Sequence, residues 1–80
     1  MQLKVLAFGI AKEIIGQLEL EVSLADNATV NDLKDYLVVQ YPDFQKLASL
    51  RVALNAEYAN DDARLSPNDE IVLIPPVSGG

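Results

Sequence analysis

The sequence predicts an α+β domain in which a mixed β-sheet packs on one main helix, with a flexible C-terminal Gly-Gly tail. Three observations support this prediction. Apolar residues alternate with polar ones at the strand period in residues 3–8 and 17–24, and they recur at the helical spacing in residues 30–41. The chain has 80 residues and no linker-like stretch, which leaves room for one domain. We assign residues 1–76 to this domain and residues 77–80 to an extended tail.

The first two predicted strands form a hairpin. Residues 3–8 become apolar on both faces toward their end, which is typical of a central strand covered on two sides. Residues 17–24 alternate more strictly, so we expect a half-exposed strand. Its predicted inward side chains are Leu18, Leu20, Val22 and Leu24. Gly9 and Gly16 bracket residues 10–15, which we interpret as the connection between the two strands.

The predicted helix begins after Thr29. Thr29 is an N-cap residue, and Asp32 supplies the acidic partner of a capping box three residues later. The apolar residues that follow at helical spacing are Val30, Leu33, Leu37, Val38 and Tyr41. Pro42 ends the helix near residue 41 because proline lacks the amide proton that the helix needs. A short helical turn is then predicted from the spacing of Phe44, Leu47 and Leu50.

The last third of the chain predicts further strands. Residues 51–59 form the third strand, whose one face carries Val52, Leu54, Ala56 and Tyr58. Residues 64–65 form a short strand, residues 66–69 a turn, and residues 70–74 the last strand. With the first and last strands adjacent and parallel, this order of elements is that of the β-grasp, the ubiquitin-like architecture.

Composition and charge exclude several classes of function. The chain has no cysteine and no histidine, so disulfides, thiolate or imidazole metal sites and the usual nucleophilic triads are excluded. Its net charge of −6 disfavours binding to nucleic acid and to anionic membranes. We interpret the acidic pairs at residues 61–62 and 69–70 as solvated turn residues, and no glycine-rich phosphate loop precedes the helix. We expect a small, soluble, cytoplasmic domain that binds no metal.

The C-terminal segment is the candidate functional element. Pro75 and Pro76 cannot donate to a strand ladder, so they end the sheet and direct the tail outward. Residues 75–80 would reach about 20 Å when fully extended. The tail continues through Val77, Ser78, Gly79 and Gly80. Because glycine has no side chain, the tip is expected to enter a narrow channel and to present its carboxylate to a partner.

Several segments together resemble one known family. They are residues 3–8 followed by residues 11–16, Thr29-Val30 at the start of the helix, residues 52–55 and, most specifically, residues 68–80. The resemblance covers essentially the whole length. In these segments the chain resembles MoaD-type proteins, the small sulfur-carrying subunits of molybdopterin synthase, within the MoaD/ThiS ubiquitin-like group.

The resemblance implies a carrier whose working group is the carboxylate of Gly80. A partner similar to ubiquitin-activating adenylyltransferases would use ATP to adenylate this carboxylate, and sulfur would displace AMP to leave a thiocarboxylate. The tail would then enter the large subunit of molybdopterin synthase, in a heterotetramer, and donate sulfur to cyclic pyranopterin monophosphate. The catalytic side chains would belong to the partners. The chain would thus be an enzyme subunit without a bound cofactor, and its only sulfur site would be the terminus.

Strand parity predicts one exposed apolar face. If alternate residues of the first and last strands face the helix, the opposite face carries Leu6, Phe8, Val72 and Ile74. Lys4 and Glu70 are expected further along that face. Such an apolar patch on a charged domain is usually an interface, and the resemblance implies partner contacts at Phe8, Tyr58 and Ile74. Three basic residues are weaker candidates for contacts with an acidic partner: Lys12, Arg51 and Arg64.

Three alternative functions stay open. The chain could carry sulfur for thiazole formation in thiamine synthesis, although the tails of such carriers tend to lack the Pro-Pro-Val stretch. It could be a ubiquitin-like protein modifier linked to lysines through Gly80, although ubiquitin-type tails usually have arginine where this chain has Ser78. It could also be a plain interaction module, in which case deleting Gly80 would leave its activity unchanged.

Overall fold

The computed structural model describes residues 1–47 and 49–76. These residues form a sheet of five strands, two α-helices and one 3-10 turn. In chain order the elements are β1 (Gln2–Ala7), α1 (Gly9–Ile15), β2 (Glu19–Ser23), α2 (Val30–Gln40), the 3-10 turn (Pro42–Lys46), β3 (Arg51–Leu54), β4 (Glu57–Tyr58) and β5 (Ile71–Ile74).

The sheet is mixed, with strand order β2-β1-β5-β3-β4. The first and last strands, β1 and β5, lie side by side and run parallel, with Val5 opposite Ile71. The other three neighbouring pairs are antiparallel. The predicted ubiquitin-like β-grasp and its central parallel pair are therefore confirmed.

The core lies between the sheet and α2. Strand alternation directs every second residue of β1 and β5 toward the helix, as predicted. Eleven core side chains are at most 1% exposed: Leu3, Val5, Ala7, Ala11, Val22, Val30, Leu33, Leu37, Val52, Ile71 and Leu73. Burying a large aliphatic side chain contributes about 1.5–3 kcal/mol, so these contacts are the main source of stability.

The start of α2 confirms the predicted capping box. The Asp32 amide donates to Thr29 Oγ1 over 3.4 Å, and the Thr29 amide donates to Asp32 Oδ2 over 2.9 Å. The helix ends at Gln40, with Tyr41 as its C-cap residue and Pro42 next, as predicted. The 3-10 turn that follows buries Phe44, while Leu47 and Leu50 lie beyond it and are half-buried.

The connection between β1 and β2 differs from the prediction because it contains helix α1. Gly9 begins this helix and Gly16 follows its last residue, with φ values of +56° and +87°, a backbone conformation that favours glycine. The Gly16 amide closes the last turn by donating to the Lys12 carbonyl over 2.7 Å. Since β2 begins only at Glu19, Leu18 lies in the connection and is 47% exposed, so its predicted inward orientation was wrong.

The single strand predicted over residues 51–59 was also wrong. Asn55 and Ala56 have φ values of +54° and +72°, and positive φ at both positions is the requirement of a type I′ hairpin turn. The chain therefore reverses there, and β4 pairs back on β3 with Tyr58 opposite Ala53. Ala56 and Tyr58 do not share the face of Val52. The predicted short strand at residues 64–65 is a single bridge between Arg64 and Thr29.

Candidate functional site

The open face is the side of the sheet that α2 does not cover. Residues paired across neighbouring strands lie on the same face, so the register defines a row that crosses the whole sheet. This row runs through Glu19, Leu6, Val72, Ala53 and Tyr58, one residue from each strand in spatial order. The row is acidic at one end and apolar along the rest, so the open face has two distinct halves.

The apolar half of the open face is a patch around the end of β5. We define the apolar patch as Leu6, Phe8, Ala53, Tyr58, Val72 and Ile74. Phe8 follows β1 with an extended backbone and is 48% exposed, and Tyr58 is 61% exposed. A groove of about 320 Å³ crosses the patch between β4 and β5. It is lined by Ala53, Ala56, Tyr58, Val72 and Ile74.

The open face thus brings together the five apolar and aromatic residues that sequence analysis named for partner contact: Leu6, Phe8, Tyr58, Val72 and Ile74. Leu6, Val72 and Ile74 are half-buried there, as expected of side chains packed into one apolar surface. Their role in binding a partner stays a prediction. Ala53 and Ala56 were missed as lining residues because the turn at Asn55 was not predicted.

A cation–π pair borders the apolar patch. The Arg51 guanidinium carbon lies 4.3 Å from the centroid of the Tyr58 ring. Arg51 lies opposite Ile74 in the β3–β5 ladder, so it belongs to the open face beside the last residue of β5. Arginine over a tyrosine face is a favourable cation–π contact. This contact orients the Tyr58 ring at the edge of the groove.

Asn55 links the β3–β4 turn to the start of β5. Its side-chain oxygen accepts from the Glu70 amide over 3.0 Å, and its side-chain amide donates to Asp69 Oδ1 over 3.0 Å. The other Asp69 oxygen accepts from the Ser66 amide over 2.8 Å. These bonds hold the turn that carries Ala56 against the strand that leads to the tail.

The other half of the open face is charged. Lys4 pairs with Glu19 over 3.8 Å, and both side chains are largely exposed. Lys4, Leu6, Glu19 and Glu70 are among the residues that line a second groove of about 250 Å³. The predicted position of Lys4 and Glu70 further along this face is confirmed.

The last strand ends at the apolar patch. Ile74 ends β5 on the open face, and Pro75 and Pro76, which follow it, are half-buried. A Cβ atom built on Gly9 would lie 3.7 Å from Pro75 Cγ, so the first proline is next to the β1–α1 corner. The remaining predicted site residues, Val77, Ser78, Gly79 and Gly80, lie outside the described residues.

The side chains of the described residues offer little chemistry of their own. Within residues 1–47 and 49–76, no polar or charged side chain is buried and no acidic cluster could hold a metal ion. Across the same two ranges, no helix has the length and apolar character needed to cross a bilayer. The described residues instead present an exposed apolar patch at the end of the last strand.

Residues 5–80 match the sequence model of the ThiS family. The chain belongs to the ThiS family. Among curated relatives of this ThiS-family chain is the molybdopterin synthase sulfur carrier subunit of Arabidopsis thaliana. It is 37% identical over 81 residues, which span 100% of this chain and 84% of the relative.

Two solved structures extend the comparison of this ThiS-family protein. Small archaeal modifier protein 1 of Haloferax volcanii superposes with a TM-score of 0.81 at 26% identity, over 95% of this chain and 98% of that one. A chain of the complex of subunits 1 and 2 of molybdopterin-converting factor from Helicobacter pylori superposes with a TM-score of 0.66 at 27% identity, covering both chains fully. The second structure places a domain of this fold in a complex with another protein subunit.

Proposed function

We propose that this protein is the sulfur carrier subunit of molybdopterin synthase. The observation that carries the proposal is the full-length match to a relative of that name, at 37% identity over 100% of this chain. The geometry supports it, because a central strand leads into the tail at the edge of an exposed apolar patch. A carrier needs those two features: a face that docks and a terminus that reaches into the partner.

The proposed chemistry takes place at the main-chain carboxylate of Gly80. An adenylyltransferase related to ubiquitin-activating enzymes joins this carboxylate to AMP from ATP and releases pyrophosphate. A sulfur donor then displaces AMP, which leaves a thiocarboxylate. Since the sequence has no cysteine, none of its side chains carries sulfur in this scheme. The need for ATP agrees with a cytoplasmic location.

The charged carrier then docks on the large synthase subunit through the apolar patch. Phe8, Tyr58 and Ile74 are the proposed contacts, and the tail delivers sulfur to cyclic pyranopterin monophosphate in the partner's active site. Two deliveries build the dithiolene of molybdopterin, and each returns the Gly80 carboxylate. The partner supplies the catalytic side chains, and two copies of each subunit form the proposed heterotetramer.

The test of the proposed function is an intact-mass measurement. The protein is incubated with ATP, a sulfur donor and the adenylyltransferase of its host, and a chain lacking Gly80 serves as the control. We expect a mass gain equal to the exchange of one oxygen for sulfur, present in the full chain and absent in the control. No gain, with an adenylyltransferase proven active on another carrier, would exclude sulfur transfer.

A second candidate is a protein modifier joined to lysines of other proteins through Gly80. The observation that favours it is the structural match to small archaeal modifier protein 1, with a TM-score of 0.81. Blotting a host extract for an epitope-tagged copy of this chain distinguishes the two functions. High-mass conjugates that require Gly80 would support the modifier, and their absence alongside the mass gain would support the carrier alone.

A further inference from the structure

Arg51 is the cation that borders the apolar patch. The open face carries one other basic side chain among the described residues, Lys4, which is at the charged end of the face and pairs with Glu19. Arg51 instead lies opposite Ile74, beside the point where the tail leaves the sheet. Its charge is therefore placed where a docked partner would contact the chain.

Among residues 1–47 and 49–76, no carboxylate forms a salt bridge with Arg51. Three of the six basic residues of the chain form salt bridges with acidic side chains: Lys4, Lys34 and Lys46. Arg51 contacts the Tyr58 ring face at 4.3 Å. A guanidinium carries five N–H donors in a rigid fork, so a contact with one ring leaves donors that match a carboxylate in a two-bond arrangement.

The contact with the Tyr58 ring also holds Arg51 in position before a partner binds. A free arginine loses much rotamer freedom when it is fixed at an interface, and a guanidinium already held against a ring loses less. Tyr58 lines the groove of the apolar patch, so the same contact fixes the groove wall and the cation beside it. A partner that docks here would contact an apolar groove with a positive charge at its edge.

The charge of the whole chain makes this position selective. A net charge of −6 repels acidic surfaces over most of the domain. A partner carboxylate is favoured next to Arg51 and disfavoured when the partner shifts toward Glu19 or Glu21 on the same face. One ion pair between Arg51 and a partner carboxylate therefore favours a single position of the partner on the open face.

We propose that Arg51 is a specificity-determining residue of the open face. Its guanidinium pairs with a carboxylate of the large synthase subunit, beside an apolar side chain of that subunit that enters the groove. This inference rests on the proposed function. It assigns the chemistry of the partner's surface at this point: one apolar side chain flanked by aspartate or glutamate.

The test compares the affinities of four versions of the full chain for the purified large subunit, by calorimetry at low and at physiological salt. They are the wild type, Arg51→Leu, Arg51→Lys and the control Arg64→Leu. Both leucine variants change the net charge equally, but Arg64 bridges to Thr29 outside the sheet. Thermal unfolding of each variant confirms that the exposed substitution leaves the fold intact.

We expect Arg51→Leu to weaken binding about tenfold or more at low salt, since close interfacial charge pairs are worth at least that factor. Arg64→Leu should change affinity by less than about twofold. Arg51→Lys should fall between the wild type and Arg51→Leu, because it keeps the charge and loses the planar fork. The difference in affinity between the wild type and Arg51→Leu should shrink as the Debye length falls from about 30 Å at 0.01 M salt to about 8 Å at 0.15 M.

Two results would overturn this inference and leave the proposed function standing. In the first, Arg51→Leu binds the large subunit no more weakly than Arg64→Leu. In the second, the loss of affinity in Arg51→Leu does not depend on salt. A salt-independent loss would mean that Arg51 acts through packing. If the wild type forms no complex with the large subunit, the proposed function fails, and the inference fails with it.

Discussion

Replacing Asn55 by alanine removes two side-chain hydrogen bonds and leaves a residue with a Cβ atom in left-handed backbone. The lost bonds are those to the Glu70 amide and to Asp69, each 3.0 Å long. Each contributes roughly 1 kcal/mol to the free energy of unfolding. Alanine at φ +54° is disfavoured by about 1 kcal/mol more, because asparagine tolerates this region better.

The expected loss for Asn55→Ala is therefore about 2–3 kcal/mol. A domain of 80 residues has a total stability of roughly 4–12 kcal/mol, so this loss is a large part of it. It corresponds to a fall in Tm on the order of 10–20 °C. Circular dichroism during urea and thermal unfolding measures both quantities.

Asn55→Gly is the matched control for this prediction. Glycine adopts the same positive φ without strain but makes no side-chain hydrogen bond, so its loss should be smaller than that of alanine. If Asn55→Ala unfolds within about 0.5 kcal/mol of the wild type, the argument that Asn55 links the turn to β5 is refuted.

Three further substitutions test the capping box, the core and the docking face. Thr29→Ala should lower the free energy of unfolding by about 1 kcal/mol, because it removes the acceptor for the Asp32 amide; urea unfolding measures this, and no change would contradict the cap. Leu37→Ala should cost about 2–5 kcal/mol in the same assay, whereas Val39→Ala, at a position 74% exposed, should stay within about 0.5 kcal/mol; equal effects would contradict the burial pattern. Phe8→Asp should weaken binding to the large subunit and leave the fold intact, since aspartate suits the N-cap position of α1; loss of folding without selective loss of binding would count against the docking face.

Secondary structure could be predicted from the sequence where the apolar spacing continues over several helical turns and where a capping motif marks the helix start. The helix α2 could be predicted because its capping box and its apolar spacing agree over eleven residues. The helix α1 could not, since it has seven residues and only Ala11 is buried. So short a segment gives no helical period to distinguish it from a loop.

The residues of the open face were predicted correctly for β1 and β5 and wrongly for residues 51–59. A two-residue hairpin turn places Leu54 opposite Glu57, so the inward positions are even-numbered before the turn and odd-numbered after it. Extending the parity of Val52 through Asn55 therefore assigned Tyr58 to the wrong face. The turn lacks the glycine that usually marks a type I′ hairpin, and the cation–π contact of Arg51 with Tyr58 depends on that register.

Because β5 is the central strand, a force that pulls on the C-terminal segment acts on two strand ladders at once. A segment attached to an edge strand is peeled away one hydrogen bond at a time. Here β5 is bonded to β1 on one side and to β3 on the other, so a pull along the tail shears two ladders together. Ile71 and Leu73 of β5 are fully buried in the core, so β5 can open only if the core is lost. Local opening at the C-terminal end should therefore stop at Ile74. Insertion and withdrawal of the tail in a partner's channel would leave such a domain folded.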